Sequence, residues 1–233
     1  METHSKLNEQ EFQQLIVLLK TGDFEARYNA ALKFIGLIEL QDQRSIRPMI
    51  LALQDKAVEI RKLGVYGLST LANTEAIEPL IQSLEDENSS IRYNAAIILG
   101  ELGDLKAVMP LIERLDDENF YVREVAARSL GILGDQRAAE TLLKKARIIE
   151  DEARGNYIIA LGRLKDFNSF EYILGLLHDK DNDIRACAAI SLGEFRDNRA
   201  LNPLLQALSD KESDVREAAT EALENIKGNE TPL

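Results

Sequence analysis

From Ile91 the chain runs IRYNAAIILGELGD, and from Val122, 31 residues later, it runs VREVAARSLGILGD. The same text recurs throughout. Aligned on an arginine, the copies fall at Arg27, Arg61, Arg92, Arg123, Arg154, Arg185 and Arg216, spaced by 34 residues once and by 31 five times. An acid stands six residues before the arginine at Asp55, Asp86, Asp117, Asp179 and Asp210. Eight after it come Gly100, Gly131, Gly162 and Gly193, and twelve after it Asp104, Asp135, Asp166 and Asp197. A period of this length is one supersecondary unit, too small to bury its own apolar face, so the copies must stack to share a continuous core.

Each unit reads as two helices. AVMPLIERLDD (107–117) is a short amphipathic helix with Pro110 in its first turn or at a kink, and ENFYVREVAARSLGIL (118–133) is a second, longer helix. Asn88, Asn119 and Asp181 offer oxygens to cap second helices, and the glycine of the Gly-Asp pair ends them. The three extra residues of the first unit, around LIELQDQ, predict a longer helix or loop there. The chain is thus expected to be all-α, an α-solenoid of about seven helix pairs forming a single domain over 1–233. The repeats are placed at 8–40, 43–72, 74–103, 105–134, 136–165, 167–196 and 198–227, followed by a polar tail at 228–233.

The motif D-x5-R-x2-AA-x2-LG-x2-GD, complete in Asp86–Asp104, resembles the HEAT repeats, specifically the short HEAT-like repeats named after phycobilisome lyases. The resemblance covers nearly the whole chain. It implies stacked pairs whose second helices line the concave side. It also implies a structural ladder in which the Asp and Arg of adjacent repeats hydrogen-bond, here Asp55, Arg61, Asp86, Arg92, Asp117, Arg123, Asp179, Arg185, Asp210 and Arg216. Repeat five departs from the motif, with Ile148 in place of the acid and Tyr157–Ile158 in place of the double Ala. It therefore lacks the residues that make a rung and a standard helix contact. The first repeat has Thr21 at the acid position.

Function should lie in residues that the period does not need. On the second helices, the side opposite the apolar positions should be polar. Five residues after the arginine it instead reads Leu32, Tyr66, Ile97, Arg128, Ile159, Ile190 and Glu221. Tyr28 and Tyr93 lie beside this stripe, as do the cations Lys62 and Arg163. The last helix is polar here (Glu217, Glu221, Asn225), as a terminal cap should be. Either the stripe packs against neighbouring second helices, or it is a surface that binds a peptide or protein segment; contiguous exposed apolar residues favour the second. Tyr28, Leu32, Lys62, Tyr66, Tyr93, Ile97, Arg128, Ile159, Arg163 and Ile190 are its candidate partner-binding residues.

Other functions find little support. A net charge of −12 without a basic cluster argues against nucleic acid and against a HEAT-like DNA glycosylase. The single cysteine, Cys187, excludes an internal disulfide and has no histidine nearby to make it a nucleophile. His4 and His178 lack partners at metal-ligand spacing, and DKDND (179–183) lacks the glycine and terminal glutamate of a calcium loop. NET at 229–231 matches a glycosylation acceptor, but nothing suggests secretion: no signal peptide or membrane span is apparent, which predicts a cytoplasmic protein. The expected role is a non-catalytic scaffold or adaptor with no catalytic residue, metal or cofactor. The alternative is a chromophore-handling protein like the E/F-type phycobilin lyases, whose opening repeat ARYNAALKFIG (26–36) resembles. That alternative implies a phycobiliprotein partner and a bilin, its pyrroles on Tyr28, Tyr66 and Tyr93 and its propionates on Lys62, Arg128 or Arg163.

Overall fold

A computed structural model describes residues 7–71 and 73–228. All regular structure among them is helical, fourteen α-helices in seven pairs. The pairs are α1 (Glu9–Thr21) with α2 (Phe24–Glu39), α3 (Ile46–Ala52) with α4 (Val58–Thr70), and α5 (Ile77–Ser83) with α6 (Ser89–Leu102). They continue as α7 (Val108–Glu113) with α8 (Phe120–Leu133), and α9 (Ala139–Ala146) with α10 (Arg154–Leu164). The last two are α11 (Phe170–Gly175) with α12 (Asn182–Phe195), and α13 (Leu201–Ala207) with α14 (Ser213–Lys227). The chain gathers into two compact units, residues 1–102 and 103–233.

From the second repeat on the first helix is short, six to eight residues; a 3₁₀ turn precedes α3, α5, α7, α9 and α13, and another follows α7 and α11. Pro110 is the third residue of α7, in the first turn, where its missing N–H leaves no hydrogen bond unmade. Asn88, Asn119 and Asp181 each accept a backbone N–H two residues on, at Ser90, Tyr121 and Asp183. Gly134 closes α8 in the left-handed region, as the motif predicts, but Lys165 and Arg196 adopt the same conformation after α10 and α12 without being glycine. The insertion in the first repeat extends α2 to 16 residues and is followed by Gln41 at φ 61°.

Within unit 1, α2 packs on α4 and α4 on α6, each against its own first helix. Phe12 and Phe34 meet edge to face at 5.3 Å, and Ile38, Met49, Leu68 and Leu80 are almost fully buried. Within unit 2 the chain of contacts runs α8, α10, α12, α14. Its core holds Leu111, Leu142, Leu161 and Phe170, the last edge-on to Phe195 at 5.2 Å.

Glycine lets these second helices approach. A Cβ on Gly162 would lie 2.7 Å from the Ser191 Cα, and one on Gly193 2.8 Å from the Ala222 Cα. Gly162→Ala should therefore force α10 and α12 apart and destabilise the protein by about 1–3 kcal/mol. Gly36 in α2 faces open space, so Gly36→Ala should stabilise by about 0.5–1 kcal/mol. Thermal denaturation of the two variants reads the opposite signs.

Candidate partner-binding face and the aspartate–arginine ladder

The motif arginines sit near the start of each second helix, and their guanidinium groups are shared between repeats. In unit 1, Arg27 donates from Nε to Asp55 at 2.7 Å and Arg61 from Nε to Asp86 at 2.7 Å. In unit 2, Arg123 reaches Asp151, Arg154 reaches Asp179, and Arg185 reaches Asp210 at 2.8 Å. The remaining nitrogen, Nη1, turns back to carbonyls of the arginine's own repeat: Asp55 for Arg61, Asp86 for Arg92, Asp117 for Arg123, Asp179 for Arg185 and Asp210 for Arg216. Asp55, Asp86, Asp179 and Asp210 are thus each bonded by the arginine of the preceding repeat, while each one's own arginine holds its carbonyl. Each acid also accepts the N–H two residues on, as at Ala57, Asn88, Asn119, Asp181 and Glu212.

Repeat five keeps its rung by different means. Residues 147–153 form an irregular stretch, and α10 begins at Arg154 itself, whereas Arg123 is the fourth residue of α8. Asp151, only three residues before the arginine, takes the place that Ile148 cannot fill: it accepts from Arg123 and from the Ala153 N–H. Tyr157, where the motif has Ala, is fully buried and donates its hydroxyl to Asp151 at 3.0 Å. Burial and that carboxylate push the Tyr157 phenol up. Arg154 rotates to suit, giving Nε to the Ala146 carbonyl and both Nη groups to Asp179. The rung that the motif leaves out is therefore present, through an acid displaced by about one helical turn. The first repeat needs no acid for Arg27, whose Nη1 bonds the Gly22 carbonyl.

The stripe opposite the packed side is solvent-facing to different degrees. In unit 1, Leu32 (42% exposed), Tyr66 (58%) and Lys62 are open, while Tyr28, Tyr93 and Ile97 are half-buried. Lys62 and Tyr66 stand one turn apart on α4, and Tyr28 stacks on Phe24 at 5.8 Å. In unit 2, Arg128, Arg163 and Ile190 (37%) are exposed and Ile159 is half-buried. Arg163 lies against Gly131 of α8, its Cδ 3.3 Å from where a Cβ would be. The motif reading passed over Ile132, half exposed nine residues after Arg123; that is the same helical position as Arg163.

A second set of clips also escaped it. Asp42, Asp135 and Asp197 each accept the backbone N–H and the side chain of the arginine two residues on. Those arginines reach back to the preceding repeat: Arg44 to the Leu7 carbonyl, Arg137 to the Leu105 carbonyl, and Arg199 to Glu171 and over the Phe170 ring at 4.2 Å. The Arg137 guanidinium holds the Asp135 carboxyl at about 2. The signal was the Asp-x-Arg spacing in the inter-repeat turns.

The acids of DKDND are occupied, Asp179 with Arg154 and Asp181 capping α12. Cys187 is half-buried beside Gly155, and burial, with Asp183 and Asp181 nearby, pushes its thiol up to about 11. A thiol so held stays protonated and a poor nucleophile at neutral pH. His178 is exposed at the end of a 3₁₀ turn, and His4 and residues 229–231 lie outside the described residues. No group of metal-ligating side chains occurs among the described residues. No helix of the described residues is long and apolar enough to cross a membrane.

The HEAT-repeat pattern matches residues 77–147 and 149–224. The chain belongs to the HEAT-repeat family. Its structure is similar to one titled as the complex of CpcE and CpcF of phycocyanin lyase from Nostoc sp. PCC7120, with 27% identity over 78% of this chain and 76% of that one, at a TM-score of 0.64. An engineered protein matches at 20% identity and TM-score 0.63, covering 93% of this chain and 68% of the other. A designed armadillo repeat protein in complex with the peptide (KR)4 matches at 18% and 0.55, covering 93% and 99%. These two share the fold. No curated protein sequence matches the chain.

The ladder makes stability acid-sensitive. Arg185 and the Glu212 N–H hold the Asp210 carboxyl at about 2, below the roughly 3.9 of an unfolded aspartate. A depressed carboxylate stabilises the fold above its unfolded pKa, and that contribution disappears as pH falls through the folded value. Asp210→Asn should cost about 1–3 kcal/mol at pH 7. The gap from wild type should close as pH drops from about 4 to about 2, read by denaturant titration along the pH series.

Proposed function

We propose that the chain is a non-catalytic scaffold that holds a peptide or protein segment on the face of its second helices, the concave face of a HEAT solenoid. What supports this reading most is the exposure of Leu32, Tyr66 and Ile190 at one helical position of repeats one, two and six, where solvent would favour polar residues. Tyr28, Tyr93, Ile97 and Ile159 extend the apolar surface at half burial, and Lys62, Arg128 and Arg163 supply charge for an acidic or carboxylate-bearing partner. Large side chains with few rotatable bonds, tyrosine above all, are the usual anchors of such surfaces.

A second reading rests on the similarity to the CpcE–CpcF complex of phycocyanin lyase. In it the chain handles an open-chain tetrapyrrole on a phycobiliprotein. The exposed pair Lys62 and Tyr66, one turn apart, fits such a ligand: a ring to lie against a pyrrole and an ammonium to meet a propionate. Arg128 and Arg163 offer the same charge on unit 2.

The two are told apart by capture from lysate of the source cell on immobilised wild type and on Ile97→Glu/Ile190→Glu, read by mass spectrometry and visible spectrum. An uncoloured client held by wild type and lost at least about tenfold by the variant is the expected result. A coloured phycobiliprotein lost in the same way would establish the second reading. A client retained equally by both proteins would remove this face from the function.

A further inference from the structure

The second helices of unit 2 meet in a fixed register. The glycine eight residues after a motif arginine faces the residue six after the next one: Gly131 faces Ala160, Gly162 faces Ser191 and Gly193 faces Ala222. Likewise Gly155, one after Arg154, faces Cys187, two after Arg185. On α2 the same positions are Asn29 and Lys33, and both line an open groove of about 910 Å³ between α1 and α2. Leu7, Leu18, Leu32 and Leu40 line it too, and no described residue covers it. At the far end of the repeats, α14 carries Glu217 one residue after Arg216 and Glu224 eight after, both exposed. A second copy that continued this register would bring Glu224 opposite Lys33, and Glu217 opposite Asn29.

Two further observations agree. Leu205 (48%) and Leu208 (37%) are exposed on and just after α13, as Val17 (55%) and Leu18 (39%) are on α1. Arg216 is the ladder arginine of the last repeat. Among the described residues it bonds the Asp210 and Lys211 carbonyls but no carboxylate, whereas Arg185 before it reaches Asp210. Nε and Nη2, which in Arg185 grip Asp210, are the donors it has for an acid, and Asp23, four residues before Arg27, is the acid that the first repeat offers. Asp151 shows that a rung accepts an acid displaced in this way.

We propose that the last repeat of one copy docks on the α1–α2 groove of a second copy, head to tail, with Glu224 on Lys33, Arg216 on Asp23 and the exposed leucines of α13 over α1. Such a contact is heterologous, so association continues with concentration instead of stopping at a symmetric dimer unless the ring closes. A charge of −12 on each chain opposes it, but at about 0.15 M salt that repulsion is screened beyond roughly 8 Å while pairs at contact persist.

Sedimentation equilibrium of the full chain over a wide concentration range tests this. The average mass should rise with concentration for wild type. Lys33→Glu and Glu224→Lys should each weaken association at least about tenfold, and the double variant should restore it to within about threefold of wild type. Leu18→Asp should weaken association with no such rescue, and Ile190→Glu, on the partner-binding face, should leave it unchanged. Melting curves of the exposed-site variants that match wild type separate lost docking from lost fold. A wild type that is monomeric at every concentration, association that survives Leu18→Asp, or a double variant as weak as the single ones would overturn the proposal.

Discussion

A guanidinium carries five N–H donors in one plane, and the motif arginines divide theirs between two repeats. One edge holds carbonyls of the arginine's own inter-helix turn, and the other grips a carboxylate of the next repeat. Such a bond fixes distance and rotation together, which apolar packing alone does not. The apolar core supplies most of the stability, since no helix pair here can bury its own face. The arginine determines where the next pair sits. Because the same carboxylate also accepts the N–H of the residue just before its second helix, the turn between the two helices and the stacking of repeats depend on one side chain.

Repeat five shows what the fold requires of the sequence. Ile148, Tyr157 and Ile158 remove the motif acid and both small residues, and the first turn of the second helix is lost with them. The rung persists because a carboxylate three residues on can occupy the same point once the chain before it is irregular. Tyr157 is long enough to hydrogen-bond that carboxylate from within the core. The constraint acts on where a charge lies in space. Sequence position is only its usual proxy.

The same distinction governs the candidate surface. A stripe of large apolar residues at one helical position signals a departure from the amphipathic rule, and Leu32, Tyr66 and Ile190 are exposed there. Ile97 and Ile159, at the same position, are half-buried. Helical phase assigns a side, but burial depends on how closely the neighbouring helix approaches, and that varies with the residues facing it. Glycine against alanine or serine brings α8, α10, α12 and α14 close together, while Lys33 stands at the corresponding point of α2.

The sequence by itself determined the helix pairs, their number, their boundaries to within a turn and the family, because each follows from a local period of apolar residues punctuated by arginine, glycine and aspartate. It also located the stripe. Only the tertiary structure decided which acid each arginine grips, that Asp151 replaces the missing one, that Asp-x-Arg clips join successive turns, and that an open leucine-lined groove remains beside α1. The bonds between repeats join residues roughly 25 to 35 positions apart, set by the distance and rotation of one helix pair on the next. A one-dimensional repeat describes the unit faithfully, but the geometry between units exists only once they have packed.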